Sequence, residues 1–208
     1  MTQTPARPGS ADCPQLVVVG GPNGCGKTTF ARLYADSESL PYLGADDIAF
    51  ALAPRDPASV RVKAGREFSR RLAAAIAAGH SLVIESTLSG ASLARTVAAA
   101  RAAGYEVTLI LVFLDSVELC LHRIAERVAQ GGHDVPEDDV RRRFQRVFPV
   151  FWRQYRPLAD RCLLIFNGGE SFLAVAESTR DEWIIYDEQM WSVFQTFVGV
   201  KADENGKA

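Results

Sequence analysis

Val17-Val18-Val19-Gly20-Gly21-Pro22-Asn23-Gly24-Cys25-Gly26-Lys27-Thr28-Thr29 decides the fold. A valine-rich run feeds a glycine-rich turn, and the turn feeds a segment able to be helical. From Gly21 to Thr28 it satisfies G-x-x-x-x-G-K-[ST], the phosphate-binding loop. Glycines let the backbone turn so that its N–H groups point inward at phosphate oxygens. The helix that follows adds free amides and the positive end of its dipole. Lys27 is expected to reach the outer phosphates of ATP, and the Thr28 hydroxyl to ligate Mg2+. Gly21, Pro22, Asn23, Gly24, Cys25, Gly26 and Thr29 complete the expected nucleotide-binding loop. Cys25 reads as a small residue that fits there, not as a reactive thiol.

Outward from the loop, apolar runs alternate with helical patterns. Leu16–Gly20, Pro41–Gly44, Ser81–Ile84, Tyr105–Leu114 and Cys162–Phe166 read as strands. Phe172–Ala176 reads as a short extra one. Helices are expected over Lys27–Ala35, from Ile48, and over Ser59–Ala78 up to the capping Gly79. Others are expected from a Ser89 cap to Ala103, and over Ser116–Gln130, Glu137–Tyr155 and Asp187–Val198. This alternation predicts an α/β fold, a P-loop NTPase with a parallel β-sheet, helices on both faces and a helical lid. Residues 1–14 read as a disordered lead-in and 15–200 as one kinase domain with its lid at about 116–155. Residues 201–208 read as a flexible tail.

Composition narrows the function. The chain has 208 residues and a formal net charge of -2, so its overall balance asks for neither nucleic acid nor an acidic membrane surface. No apolar run has the length of a membrane span. Its four cysteines, Cys13, Cys25, Cys120 and Cys162, show no zinc or disulfide spacing, and a reducing cytoplasm suits them.

In such sheets ligands bind outside the carboxyl ends of the strands. That rule gathers the loop, Asp46, Glu85, Thr87 and Asn167 on one rim. A phosphotransferase needs a carboxylate to orient the acceptor hydroxyl and take its proton, which Asp46 can supply. One of Asp46 and Asp47 is also expected to cap the helix from Ile48. Glu85 can hold magnesium through water or grip a substrate hydroxyl, and Thr87 follows it. Arg123 and Arg127 share one helical face, and Arg141, Arg142, Arg143 and Arg146 cluster across Gly131-Gly132. Guanidinium groups on a lid with a glycine hinge would neutralise a transferring phosphoryl group. His133 has no second ligand at metal spacing.

Gly20–Thr29, Ala45–Ala49, Ile84–Gly90, Arg127-Val128, Gly131–Glu137 and Arg141–Phe144 resemble the zeta-toxin family of P-loop kinases, in particular its short stand-alone bacterial members. The resemblance spans about Leu16 to Gly169, and its most specific string is Gly131-Gly132-His133-Asp134-Val135-Pro136-Glu137. The family's best-studied members are toxins that phosphorylate UDP-N-acetylglucosamine with ATP and magnesium. The resemblance implies that Lys27 and Thr28 bind phosphate and metal, and that Asp46 activates the sugar hydroxyl. It implies that Glu85 and Thr87 contact the sugar nucleotide, that Arg127 and Arg142 clamp the phosphates, and that Asn167 sits near the adenine. It allows an antitoxin protein as partner. Gly44-Ala45-Asp46 and Ile165-Phe166-Asn167-Gly168 depart from the family's usual strings, so kinase chemistry carries over better than the acceptor. Another acceptor, such as a sugar acid or an antibiotic, stays open. So does an ATPase or switch without an acceptor, though no N-K-x-D guanine motif is present.

Overall fold

Five parallel strands make up one side of a seven-stranded sheet, from one edge inward. They are β1 (Gln15–Gly20), β2 (Tyr42–Leu43), β3 (Leu82–Ser86), β4 (Glu106–Phe113) and β5 (Arg161–Phe166). The computed structural model describes residues 13–88, 90, 92–132, 134–179 and 182–199. The expected lead-in up to residue 12, the Ser89 cap, His133 and the tail 201–208 lie outside the described residues. The strand order is β2-β3-β1-β4-β5, then β6 (Leu173–Thr179) and β7 (Glu182–Ile185), both antiparallel. β1 and β4 are buried almost throughout, which is why both read as unbroken apolar runs.

The antiparallel edge is larger than the expected single short strand. β7 has four residues that alternate between exposed and half-buried, too short a run to declare its period from sequence.

The helices are α1 (Lys27–Ser37), α2 (Ala45–Leu52), α3 (Arg61–Ala77), α4 (Ser92–Ala102), α5 (Val117–Ala129), α6 (Glu137–Val150) and α7 (Glu188–Val198). Two boundaries move. α2 begins at Ala45, with Gly44 at its N-cap and no side-chain cap bond, so neither Asp46 nor Asp47 caps a helix from Ile48. Both stand in its first turn instead, where carboxylates suit the helix dipole. Ahead of α3, Pro57–Val60 forms a 3-10 turn in which Ser59 N–H donates to the Asp56 carboxylate at 3.3 Å.

The expected lid, 116–155, is anchored to the core rather than hung over it. Cys120 and Ile124 of α5 and Val140, Phe144, Val147 and Phe148 of α6 are buried. Phe144 and Phe148 pack on Phe197 of α7, with ring centroids 5.4 and 4.5 Å apart, and Phe148 meets Phe113 of β4. Pro149 lacks an N–H for the helical ladder, and α6 widens beyond it into a π-helical turn over Phe151–Tyr155. Gly131-Gly132 forms the cap of α5 rather than a free hinge. Gly131 N–H donates to Val128 O and Gly132 N–H to Arg127 O, each at 2.9 Å, the Schellman pattern.

Candidate active site

The crevice lies where the chain leaves β1, between β3 and β4. The register pairs Gly20 with Ser86 on one side and with Leu111 on the other. Loops from the two sides therefore part at this point, the place where open α/β sheets bind ligands.

The phosphate loop turns here in a conformation that needs glycine. Gly24 has φ 80°, and a Cβ there would stand 2.5 Å from the Cys120 carbonyl oxygen. Gly26 has φ 90°, and its Cβ would run into the Asn167 amide. That amide donates to Cys25 O at 2.9 Å. Asn167, expected near an adenine, is thus engaged in bracing the loop from behind and does not line the cavity. Lys27 Nζ donates to Pro22 O at 2.9 Å, across the mouth of the loop.

A cavity of about 550 Å³ opens above the loop. Of the loop residues, Asn23, Gly24, Gly26, Lys27, Thr28 and Thr29 line it, whereas Gly21, Pro22 and Cys25 lie beneath. Cys25 is fully buried, and burial pushes its thiol pKa up, with Lys27 only partly opposing. Burial likewise pushes the neighbouring Cys120 thiol up to about 12. Both stay protonated near neutral pH and are poor nucleophiles, as expected of a packing residue in the loop.

The far wall brings the expected carboxylates to the phosphate end. Asp46 is exposed, lines the cavity and makes no hydrogen bond or ion pair among the described residues. Asp47 is turned the other way. Its carboxylate takes both ends of a pair with the Arg32 guanidinium, at 2.6 and 2.7 Å, and Arg32 lies over the Tyr42 ring at 5.0 Å. Thr87 and Ser86 line the cavity beside Glu85. Glu85 stands next to the Tyr42 phenol, whose pKa rises through burial first and the Glu85 charge second. Glu85 Oε2 is shut off from solvent with no hydrogen-bond partner among the described residues. A buried carboxylate oxygen in that state is costly unless a ligand or cation comes to it.

Arginines close the third side. Arg123 and Arg127 of α5 and Arg143 of α6 line the cavity. Arg143 donates to the Asn23 side chain at 3.2 Å and pairs with Asp139 at 3.1 Å, so it ties α6 to the loop. Arg142, expected in the clamp, does not line the cavity. It is 56% exposed and pairs with Asp139 at 2.6 Å on the outside of α6. The helical period explains the exchange. Val140, Phe144 and Val147 define the inward stripe, and position 143 stands one turn before Val147 on the edge of that stripe while 142 falls on the opposite side. Arg61, at the start of α3, also lines the cavity, although the sequence marks it only as one basic residue among several on that helix.

The residues present fit a nucleotide with its metal. The loop offers backbone amides and a lysine, and no acidic residue stands in the first turn of α1 to repel phosphate. Among the described residues no group of three or more His, Cys, Asp or Glu could hold a metal ion. Thr28 and Glu85 are among the oxygen-bearing residues that line this cavity, and magnesium is commonly held by one or two protein oxygens together with substrate phosphates. Among the described residues no helix is long and apolar enough to cross a membrane.

Comparison with known proteins agrees with this architecture. The family model described as AAA domain, AAA_33, matches residues 16–150. An uncharacterized protein of Haemophilus influenzae is 34% identical over 124 residues, covering 60% of this chain and 88% of its own length. Among solved structures, AvrRxo1-ORF1:-ORF2 with ATP superposes with a TM-score of 0.68 at 17% identity, over 88% of this chain. This chain spans 64% of that one. The PezAT chromosomal toxin-antitoxin system of Streptococcus pneumoniae gives a TM-score of 0.61 at 16% identity, covering 91% of this chain and 88% of that one. At such identities the likeness is one of fold, a mostly parallel sheet with P-loop kinase-like topology. The chain belongs to the AAA domain family AAA_33.

Proposed function

We propose that this chain is an ATP-dependent phosphotransferase of the zeta-toxin type. In this reading a single domain, 15–200, moves the γ-phosphoryl group of ATP to a hydroxyl of a small metabolite. One observation carries the reading. A single cavity joins the phosphate loop to Asp46, a carboxylate with no partner among the described residues, and to four arginines, Arg61, Arg123, Arg127 and Arg143. A kinase needs a carboxylate on the acceptor side to take the hydroxyl proton, and Asp46 is placed for that task.

Bound ATP with magnesium supplies an activated phosphoryl group. The chain's own residues hold and use it. Backbone amides of the loop and Lys27 grip the outer phosphates, and Thr28 and Glu85 hold the metal side. Asp46 accepts the proton of the acceptor hydroxyl as that oxygen bonds to the γ-phosphorus. The bond from that phosphorus to the bridging oxygen breaks, ADP leaves, and Asp46 returns the proton to water. Arg123, Arg127 and Arg143 offset charge on the moving group.

UDP-N-acetylglucosamine is the leading acceptor, through the sequence resemblance, with Glu85 and Thr87 as its contacts. Likeness in fold to a toxin-antitoxin system fits an inhibitory protein partner. Four free cysteines suit a reducing cytoplasm. The test is ADP release with UDP-N-acetylglucosamine, gluconate and an aminoglycoside offered in turn. One acceptor is expected to stimulate turnover. Thr87→Val should then raise that acceptor's KM more than that of ATP, while Glu85→Gln, which touches the metal as well, should raise both. Hydrolysis that no acceptor stimulates would favour the switch reading.

A further inference from the structure

Tyr42 and Gly44 sit at the end of β2, beside the part of β3 that carries Glu85. Tyr42 pairs with Val83 and Leu43 with Ile84. Gly44 continues in extended backbone, φ -118° and ψ 139°, so the next step of the register sets it beside Glu85. Side chains two apart on a strand share a face, and in-register neighbours on parallel strands point the same way. Tyr42, Glu85 and any side chain at position 44 therefore belong to one side of the sheet.

We propose that Tyr42 is a positioning residue for Glu85. Its phenol O–H turns to the carboxylate oxygen that is shut off from solvent, which leaves the other oxygen to face the phosphate cavity, and Gly44 keeps open the space this needs. The pairing stands on the geometry of β2 and β3; its use in phosphoryl transfer rests on the reading of Glu85 given above.

Space is the first ground. A Cβ at Gly44 would run into the Tyr42 hydroxyl and stand 2.9 Å from the ring carbon that carries it. The backbone at position 44 is one that any residue adopts, so the phenol, and not the chain path, is what asks for glycine here. The ring thus leans along the strand over Gly44, into the place where a side chain would stand next to Glu85. Arg32 covers the ring, its guanidinium carbon 5.0 Å from the centroid, and limits its swing.

The second ground is the state of the carboxylate. Glu85 Oε2 is buried and has no hydrogen-bond partner among the described residues. The phenol beside it is half-buried, and the Glu85 charge adds to burial in pushing the Tyr42 pKa up. Tyr42 therefore keeps its proton at neutral pH and is a donor rather than a second negative charge. A carboxylate with neither oxygen answered is free to turn. One tied at Oε2 holds its other oxygen in a single direction, toward the phosphate loop that shares the cavity.

Two measurements on the full chain test this. A hydroxyl held by a carboxylate exchanges slowly with water. With tyrosine labelled at Cζ, in half-deuterated water, Tyr42 should show separate carbon lines for its O–H and O–D forms. The lines should merge in Glu85→Ala and in Gly44→Ala. One merged line in the parent chain, or separate lines that persist in Glu85→Ala, would overturn the pairing whatever the enzyme assays give. The second measurement is Mn2+ affinity at saturating ADP, read by electron paramagnetic resonance. Tyr42→Phe and Gly44→Ala should each weaken it by roughly tenfold, the scale of one hydrogen bond to a charged group, with metal-free ADP affinity unchanged. The double variant should bind no more weakly than either single one, since both changes remove the same bond. Parent-like Mn2+ binding by Tyr42→Phe where Glu85→Ala loses it, or single effects that add in the double variant, would overturn the positioning role and leave Tyr42 as packing. If Glu85→Ala keeps full Mn2+ affinity, the metal reading of Glu85 fails, and the Cζ lines alone decide the pairing.

Discussion

Asp46→Asn is expected to lower acceptor phosphorylation by roughly a hundredfold or more, the scale of losing a general base, while ATP affinity changes little. Asp46 stands in the first turn of α2 and lines the cavity above the phosphate loop. Its carboxylate has no partner among the described residues to hold it elsewhere. Asparagine keeps the shape and removes the charge and the proton-accepting capacity. An acceptor hydroxyl at neutral pH is then left without a group to receive its proton as the bond to phosphorus forms. The neighbouring substitution is the control. Asp47→Asn weakens an ion pair in which one Arg32 nitrogen, Nη2, donates to both carboxylate oxygens, and the two side chains are 52% and 48% exposed. Exposed pairs of this kind contribute about 0–1 kcal/mol to stability, so transfer should persist. Single-turnover kinetics of both variants checks this. Loss of transfer in Asp47→Asn with Asp46→Asn spared would place the base one residue along.

Lys27→Ala should be the second large effect. Its ammonium now bonds to Pro22 O, within the loop. With nucleotide present the same group can turn to the outer phosphates, as the lysine of a phosphate loop does. Removing it deletes a charge-assisted contact of about 1.5–3 kcal/mol, or roughly ten- to a hundredfold in ATP affinity. Affinity for adenosine, which lacks phosphates, should be unchanged, and transfer should vanish. Calorimetry with both ligands separates these. Unchanged ATP affinity together with persisting activity would remove the phosphate loop from the account.

The centre of the fold was legible because its signals are local. An unbroken valine run, glycines at fixed spacing and a helical pattern after them all sit within one stretch. The positions of Asp46, Glu85 and Thr87 followed from a topological rule, since the strand preceding each had been recognised. What stayed hidden depends on packing. Arg142 and Arg143 are adjacent in sequence, and only the buried stripe of Val140, Phe144 and Val147 tells which of them turns inward. Gly131-Gly132 reads equally as hinge or cap until the bonds to Val128 and Arg127 are seen. Asn167 falls on the expected rim, but its amide is drawn under the loop by a carbonyl far away in sequence. Arg61 has no motif around it, and only its place in the wall of the cavity gives it meaning.

The most direct measurement is to incubate the protein with γ-labelled ATP, magnesium and a bacterial metabolite extract, and to follow the label by mass spectrometry. The account predicts a labelled phosphoryl group on an organic hydroxyl compound with the parent chain, and none with Asp46→Asn. Label found only in inorganic phosphate, in equal amounts with both proteins, would contradict it.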